Sequence, residues 1–271
     1  MMKVIVSHDV DHLYRRDHWF RDLIYLKLVV RSAYQLLRRK ITIREWWLRS
    51  ISCFKKKRNC LFEIMDFDRE HGVASTFFFG VSQGLGMSYR PREATKMVRQ
   101  VRNQGFSVGL HGICYDNYDG IKREYDTFIH SYGFKPCGIR MHYVRYDGTT
   151  FENEARAGYP FDTTEFEKEK SGTQKHPYRV GNMWEFPLAI MDGYLPQDIE
   201  NAKKVTLKKL QECKEKNLEY VTILFHDYQF CDAYQDMKKW YVWLIQYLRD
   251  STEYCFVSYE DAMKELGARH E

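Results

Sequence analysis

A chain of 271 residues, 44% hydrophobic and 29% charged, has the composition of a soluble globular protein and can bury one large α/β core or two small ones. It holds no run of about 18 apolar residues, which excludes a spanning helix, and Met1-Met2-Lys3 leads into a strand without an apolar h-region, so a cytoplasmic chain without a cleaved secretory signal is expected. The net charge of +5 hides an uneven spread: residues 13–60 carry fourteen Lys/Arg against three Asp/Glu, a local +11, and the remainder sums to −6.

The first predicted element is a buried strand, Val4–Ser7, and its exit reads Ser7-His8-Asp9-Val10-Asp11-His12. On an extended segment residues i and i+2 point the same way, so Asp9 and Asp11 face one site together. Paired carboxylates repel unless something positive lies beside them, and a divalent metal is the usual remedy. The plainer reading is an Asp-rich turn capping the next helix. Residues 13–60, basic and interleaved with Trp19, Phe20, Trp46, Trp47 and Phe54, then read as a helical insertion. It is either a solvated excursion or a contact with an anionic surface such as lipid headgroups, a lipid-linked phosphate or an acidic glycan. No nucleic-acid recognition motif accompanies the charge.

Further strands are expected at Ser75–Phe79, Phe106–Leu110, Cys137–Arg140, Met183–Leu188, Tyr220–Phe225 and Tyr254–Val257, with a weaker one at Tyr159–Asp162. Helices are expected at Arg92–Asn103, Gly120–Tyr132, Asp198–Lys216, Gln235–Arg249 and Ser258–Leu266, the last with a Ser cap. Residues 164–182, rich in Lys, Glu, Gly and Thr, read as a surface loop. No repeat or linker divides the chain, so one domain over 1–271 is expected, and alternating strands and helices argue a parallel sheet, open or closed to a barrel. Seven cysteines at irregular spacing, with no Cys-x-x-Cys pair, fit reduced thiols. Polar residues collect at strand ends: His111 after Val108-Gly109-Leu110, then Arg140, His142 and Tyr143, then His226 and Asp227. Clusters of this kind from separate strands are how parallel α/β barrels build active sites.

In this order the motifs resemble the polysaccharide deacetylases of the NodB-homology group, carbohydrate esterase family 4, of which the chain looks like a divergent member. Asp9 and Asp11 match the family's Asp-x-Asp. Ser75-Thr76-Phe77-Phe78-Phe79-Gly80 matches its Ser-Thr-Phe-Phe strand, Gly109-Leu110-His111 its Gly-x-His, and Arg140-Met141-His142-Tyr143 approaches its Arg-x-Pro-Tyr. Leu224-Phe225-His226-Asp227 and Phe256-Val257-Ser258 match the two closing motifs. The resemblance runs from residue 3 to about 266 apart from the 13–60 insertion. It implies a distorted (β/α) barrel of about seven parallel strands with a helical insertion after the first.

The resemblance also implies a metal-dependent hydrolase that removes an acyl group, N-acetyl first, from an amino sugar of a surface glycan or its lipid-linked precursor. Asp11 and His111 would hold a divalent metal, Zn²⁺ as first choice. The family's second histidine falls at Tyr115, and the Pro of Arg-x-Pro-Tyr is His142. His142 is then the substitute third ligand, with Tyr115, Asp116 and Asn117 weaker candidates. Asp9 would act as general base, Arg140 would keep it ionised, a backbone N–H near Tyr143 would face the oxyanion, and His226 would protonate the leaving amine. Asp192 and Asp162 are candidate partners for His226 by analogy, Trp184 is a pocket residue or core, and His8 and His12, which flank the Asp pair, are candidates for supporting the ligands rather than for ligating. The competing reading is a carbohydrate-binding or scaffold module on the same fold, favoured by the loss of the second histidine. The implied partners are a carbohydrate and, through 13–60, an anionic inner-membrane surface.

Overall fold

The computed structural model describes residues 1–14, 24–39, 41–52 and 59–268. Ten strands and nine helices occur among them. In chain order they are β1 (Met2–Val10), α1 (Ile24–Leu37), α2 (Ile43–Ser52), α3 (Leu61–Glu70), β2 (Thr76–Gly80), α4 (Pro91–Asn103), β3 (Ser107–Gly112), α5 (Tyr118–Tyr132), β4 (Ile139–Met141), α6 (Thr150–Ala157), β5 (Phe161–Asp162), β6 (Tyr178–Val180), β7 (Met183–Glu185), β8 (Leu188–Met191), α7 (Ile199–Glu215), β9 (Tyr220–Leu224), α8 (Gln235–Asp250), β10 (Tyr254–Phe256) and α9 (Tyr259–Ala268).

The strands pair in the order β6-β7-β5-β4-β3-β2-β1-β9-β8, with β10 beside the start of β1. Every ladder is parallel except β6 with β7. Strands β7 and β8 lie toward opposite ends of this order, yet only Phe186 and Pro187 separate them in the chain. The sheet must therefore curl until its ends meet. Backbone bonds from Phe186 to Asp162 and from Leu188 to Glu165, both 2.9 Å, close the seam. The result is the distorted, mostly parallel, curled α/β sheet that the motif order led one to expect, with ten strands where about seven were expected.

Strand β1 shows how the sequence sorts its faces. Ile5, Ser7 and Asp9 alternate with Val4, Val6, His8 and Val10. Ile5 belongs to an inner cluster with Phe78, Phe161, Phe186, Tyr220 and Tyr259, whereas Val4, Val6 and Val10 pack outward in the main core. Phe77, Phe78 and Phe79 are all fully buried because β2 is covered on both faces, and each contributes roughly 1.5–3 kcal/mol of transfer free energy.

Several expectations are corrected. The run Met183–Leu188 is two strands, because Pro187 has no N–H to donate and the chain turns there. The 164–182 segment is not wholly loop: Tyr178–Val180 pairs antiparallel with β7. Strand β1 runs on to Val10, where the pairs His8–Phe77, Asp9–Phe78 and Val10–Phe79 extend it. Helices α3 and α6 went unforeseen, both being short. Of the basic insertion, α1 and α2 are described, but Arg15, Arg16, Trp19, Phe20, Arg21, Lys40, Phe54 and Lys55–Arg58 lie outside the described residues.

Candidate active site

The strand-end residues meet at the carboxyl ends of β1, β3, β4 and β9. Asp9 is buried, and its Oδ1 accepts a hydrogen bond from Arg140 Nη1 at 2.9 Å. Arg140 is itself fully buried and donates to Ser7 Oγ (2.7 Å), Thr163 O (3.1 Å) and Tyr259 Oη (3.3 Å). Its guanidinium lies 4.6 Å from the Phe78 ring centroid. That ring needs Gly109 on the next strand: a Cβ there would sit 2.4 Å from it. Burial alone would raise the Asp9 carboxyl, but the fields of His111 and then Arg140 more than offset it and hold the group below the usual range.

Asp11, His111 and His142 form a tight triangle. His111 Nε2 lies 2.9 Å from His142 Nδ1 and 3.3 Å from Asp11 Oδ1, and His142 Nδ1 lies 3.5 Å from the same oxygen. The far nitrogen of each ring is committed to a backbone carbonyl: His111 Nδ1 donates to Arg140 O (3.0 Å) and His142 Nε2 to Leu85 O (3.2 Å). Those bonds set both tautomers and turn both remaining nitrogens inward, the arrangement typical of metal-binding imidazoles. Asp11 Oδ1 is buried and accepts no hydrogen bond. Two imidazole nitrogens and an orphaned carboxylate oxygen thus converge on one point, which requires a proton or a cation among them. The three edges bracket the roughly 3.3 Å expected between ligands of a tetrahedral ion with 2.0–2.1 Å bonds. Among the described residues this is the group of His, Cys, Asp and Glu whose donor atoms approach closely enough to share an ion.

His226 stands on the opposite side. Its Nδ1 donates to Asp192 Oδ1 at 2.7 Å, and its Nε2 lies 3.8 Å from Asp11 Oδ2. Asp192 is held in turn by the His226 N–H and by Gln229 Nε2, each 2.8 Å from its Oδ2. Burial opposes a charge on His226, but the Asp192 carboxylate beside it wins and raises the imidazole to about 10. One wall of the site is strained. Leu85, Tyr143 and Val144 all have positive φ (54°, 59° and 44°), a conformation that costs of order 1–3 kcal/mol each for non-glycine residues. The strain turns the Leu85 carbonyl toward both His142 and the Tyr143 hydroxyl, which donates to it at 3.0 Å. Beyond this wall a cleft of about 420 Å³ runs past Tyr115, Val144, Arg145, Tyr146 and Phe166.

The structure brings together Asp9, Asp11, His111, Arg140, His142 and His226. Four residues named from the sequence stand elsewhere or act otherwise. Asp162 does not reach His226; it is buried on β5 and accepts from Thr164 Oγ1 and N. Trp184 is core, packed with Ile5, Phe161 and Phe186. His8 points to the outer face, bonded to Phe225 O (2.8 Å) and Asp68 (2.9 Å), because adjacent strand residues face opposite sides. The Tyr143 side chain is exposed and serves the Leu85 contact. The weaker ligand candidates are also otherwise engaged: the Tyr115 ring lies under the Arg145 guanidinium, Asn117 caps α5 by accepting from the Gly120 N–H, and Asp116 accepts from Asn117. The sequence reading missed Leu85, Gln229, Thr163 and Tyr259. Only the Gly84-Leu85-Gly86 turn carried a signal, since flanking glycines mark an unusual backbone.

No family model and no curated protein matches the sequence. Solved structures match its fold. A chain from Mycobacterium smegmatis assigned as a polysaccharide deacetylase superposes with a TM-score of 0.66 at 14% identity, over 99% of this chain and 91% of that one. An allantoinase does so with 0.63 at 10% identity, over 99% and 90%. A chain from Pseudomonas aeruginosa PAO1, also assigned as a polysaccharide deacetylase, gives 0.59 at 10%, over 99% and 91%. At such identities the likeness is one of fold, and the fold is that of the polysaccharide deacetylases.

Proposed function

We propose that this chain is a metal-dependent hydrolase of carbon–nitrogen bonds that removes the N-acetyl group from an amino sugar. The observation that carries the reading is the convergence of Asp11 Oδ1, His111 Nε2 and His142 Nδ1 between a charged carboxylate and a protonated imidazole. Asp11, His111 and His142 are the metal's holders, and a bound divalent ion, Zn²⁺ by its affinity for such a donor set, would supply Lewis acidity and an acidified water. Asp9, kept ionised by His111 and Arg140 and with Oδ2 facing the triangle, is the general base. His226, charged through Asp192, donates the proton to the leaving amine. The Tyr143 backbone N–H is the donor assigned to the developing oxyanion. A glycan of the cell surface or its lipid-linked precursor is the substrate class proposed. The proximity of His142 Nδ1 to His111 Nε2 and Asp11 Oδ1 favours the hydrolase over a binding module on the same fold.

The test is metal content together with turnover on N-acetylated amino-sugar oligomers. Purified protein should hold about one divalent ion per chain. His142→Ala should lower that occupancy, whereas Tyr115→Phe should leave it unchanged. Asp9→Asn and His226→Ala should each cut turnover by roughly 10²–10⁴-fold with the fold intact. A metal-free, inert wild type would favour the binding module instead.

A further inference from the structure

The insertion after β1 presents an apolar stripe that no part of the described chain covers. On α1 the exposed residues Leu26 (62% exposed), Val30 (62%) and Leu37 (83%) recur at helical spacing, with Val29 and Tyr34 beside them. On α2, Ile43 (73%) and Trp47 (58%) sit one turn apart and are exposed as well. Each of the two neighbouring helices thus carries exposed apolar residues at helical spacing rather than one isolated surface side chain. Lys27, Arg31 and Arg38 follow one edge of the α1 stripe at spacings of four and seven, Arg39 lies just past the end of α1, and Arg44 lies in the first turn of α2. Among the described residues none of these five cations pairs with a carboxylate. Arg38 instead folds onto the ring and hydroxyl of Tyr34.

We infer that this face is a peripheral membrane-docking surface that lies on an anionic phospholipid bilayer. A helix with an apolar stripe edged by cations is the form that lies in the plane of the interface, with its apolar side among the acyl chains and its cations at the headgroups. No described helix is long and apolar enough to cross a membrane, so the contact is one of lying on the surface. A second copy of the chain fits the face poorly. Pairing two such faces would bring the Lys27, Arg31 and Arg38 edges of two copies together, and like charge opposes that. The hairpin is also braced to the catalytic side of the barrel. Arg49 on α2 donates to Ala233 O at 2.8 Å and stacks 4.7 Å over the Tyr234 ring. The Tyr234 ring meets Tyr228, whose ring lies 5.7 Å from that of His226. Docking through α1 and α2 holds the site close to the headgroups, where a lipid-linked sugar is presented. That last consequence rests on the hydrolase reading; the membrane contact does not.

The experiment is vesicle flotation of the full chain without substrate, so its outcome is independent of turnover. The vesicles are phosphatidylcholine alone or phosphatidylcholine with phosphatidylglycerol, at low and high salt. The wild type should float with the anionic vesicles at low salt, at least tenfold more than with neutral ones, and be released by high salt. Lys27→Gln/Arg31→Gln/Arg38→Gln should bind about a hundredfold more weakly, at about fivefold per cation. Leu26→Asp/Val30→Asp should lose flotation while keeping the wild-type circular dichroism and metal content, since both positions are exposed. Equal binding to neutral and anionic vesicles, no binding at low salt, or full retention by both variants would overturn the inference. So would lipid-free self-association that Leu26→Asp/Val30→Asp abolishes, because the face would then belong to a second copy.

Discussion

At the scale of single residues, the pairing of His226 with Asp192 is the feature with the clearest consequence. An imidazole that must give up a proton needs to hold one at working pH, and burial works against that. Asp192 reverses the balance by charge and by the 2.7 Å bond at Nδ1. Asp192→Asn keeps the shape and removes the charge. The protonated fraction of His226 should then be lost at lower pH than in the wild type. The alkaline limb of kcat/KM should move down accordingly, with the acid limb, which the proposed mechanism gives to Asp9, unmoved; a pH–rate profile of both proteins reads this directly. An unmoved alkaline limb would assign it to another group. His226 itself was legible from its place after an apolar strand. Its partner was not, since Asp162 and Asp192 both end strands and only the closure of the barrel decides which one is near.

At the scale of elements, α6 carries a carboxyl that nothing in the sequence marked. Glu154 is fully buried, neither of its side-chain oxygens has a hydrogen-bond partner, and it neighbours Asp162 on β5 and Glu185 on β7. Burial, and then the negative charge of Asp162, pushes Glu154 well above the usual carboxylate range, and burial with Asp162 does the same to Glu185. A carboxyl raised in the native state keeps its proton where the unfolded chain has released its own. Its contribution to stability is therefore full below the ordinary carboxylate pKa and is lost as pH rises through the raised value. Glu154→Gln, which mimics the protonated form, should raise the melting temperature more at pH 8 than at pH 5. A shift equal at both pH values would mean that the group titrates normally. The hydrophobic period revealed most elements, but β6, β7 and β8 are too short for a period to register, and Pro187 divides what reads as one apolar run.

At the scale of the whole molecule, Arg140 ties the barrel together from inside. Its donors reach Asp9 and Ser7 on β1, Thr163 just after β5 and Tyr259 at the start of α9, and all of these contacts are buried. Arg140→Met would leave Asp9 buried without its cation, a change that costs about 3–5 kcal/mol when one partner of a buried pair is removed. Urea denaturation should show that loss, and Asp9→Asn in the same background should recover part of it, because the stranded charge is then gone. Recovery of none would mean that packing, not charge, is what Arg140 supplies.

Much of this protein was settled by its sequence alone. Alternation along Val4–Asp9, the Phe77-Phe78-Phe79 run of β2 and the helix start at Asp198 act over a few residues, and local sterics and burial suffice to determine them. The same holds for the residue types at the strand ends, which limited the chemistry to metal, acid and base. What only the tertiary structure decided is which of those residues share a space. His142 and His111 are thirty-one positions apart and Asp192 and His226 thirty-four, and each pair meets because adjacent parallel strands end side by side. The tautomers of both site histidines depend on the carbonyls of Arg140 and Leu85, the second held by a strained turn that no side-chain pattern announces. Distances of this kind arise from closing a sheet on itself, a long-range event whose outcome no short window of sequence contains.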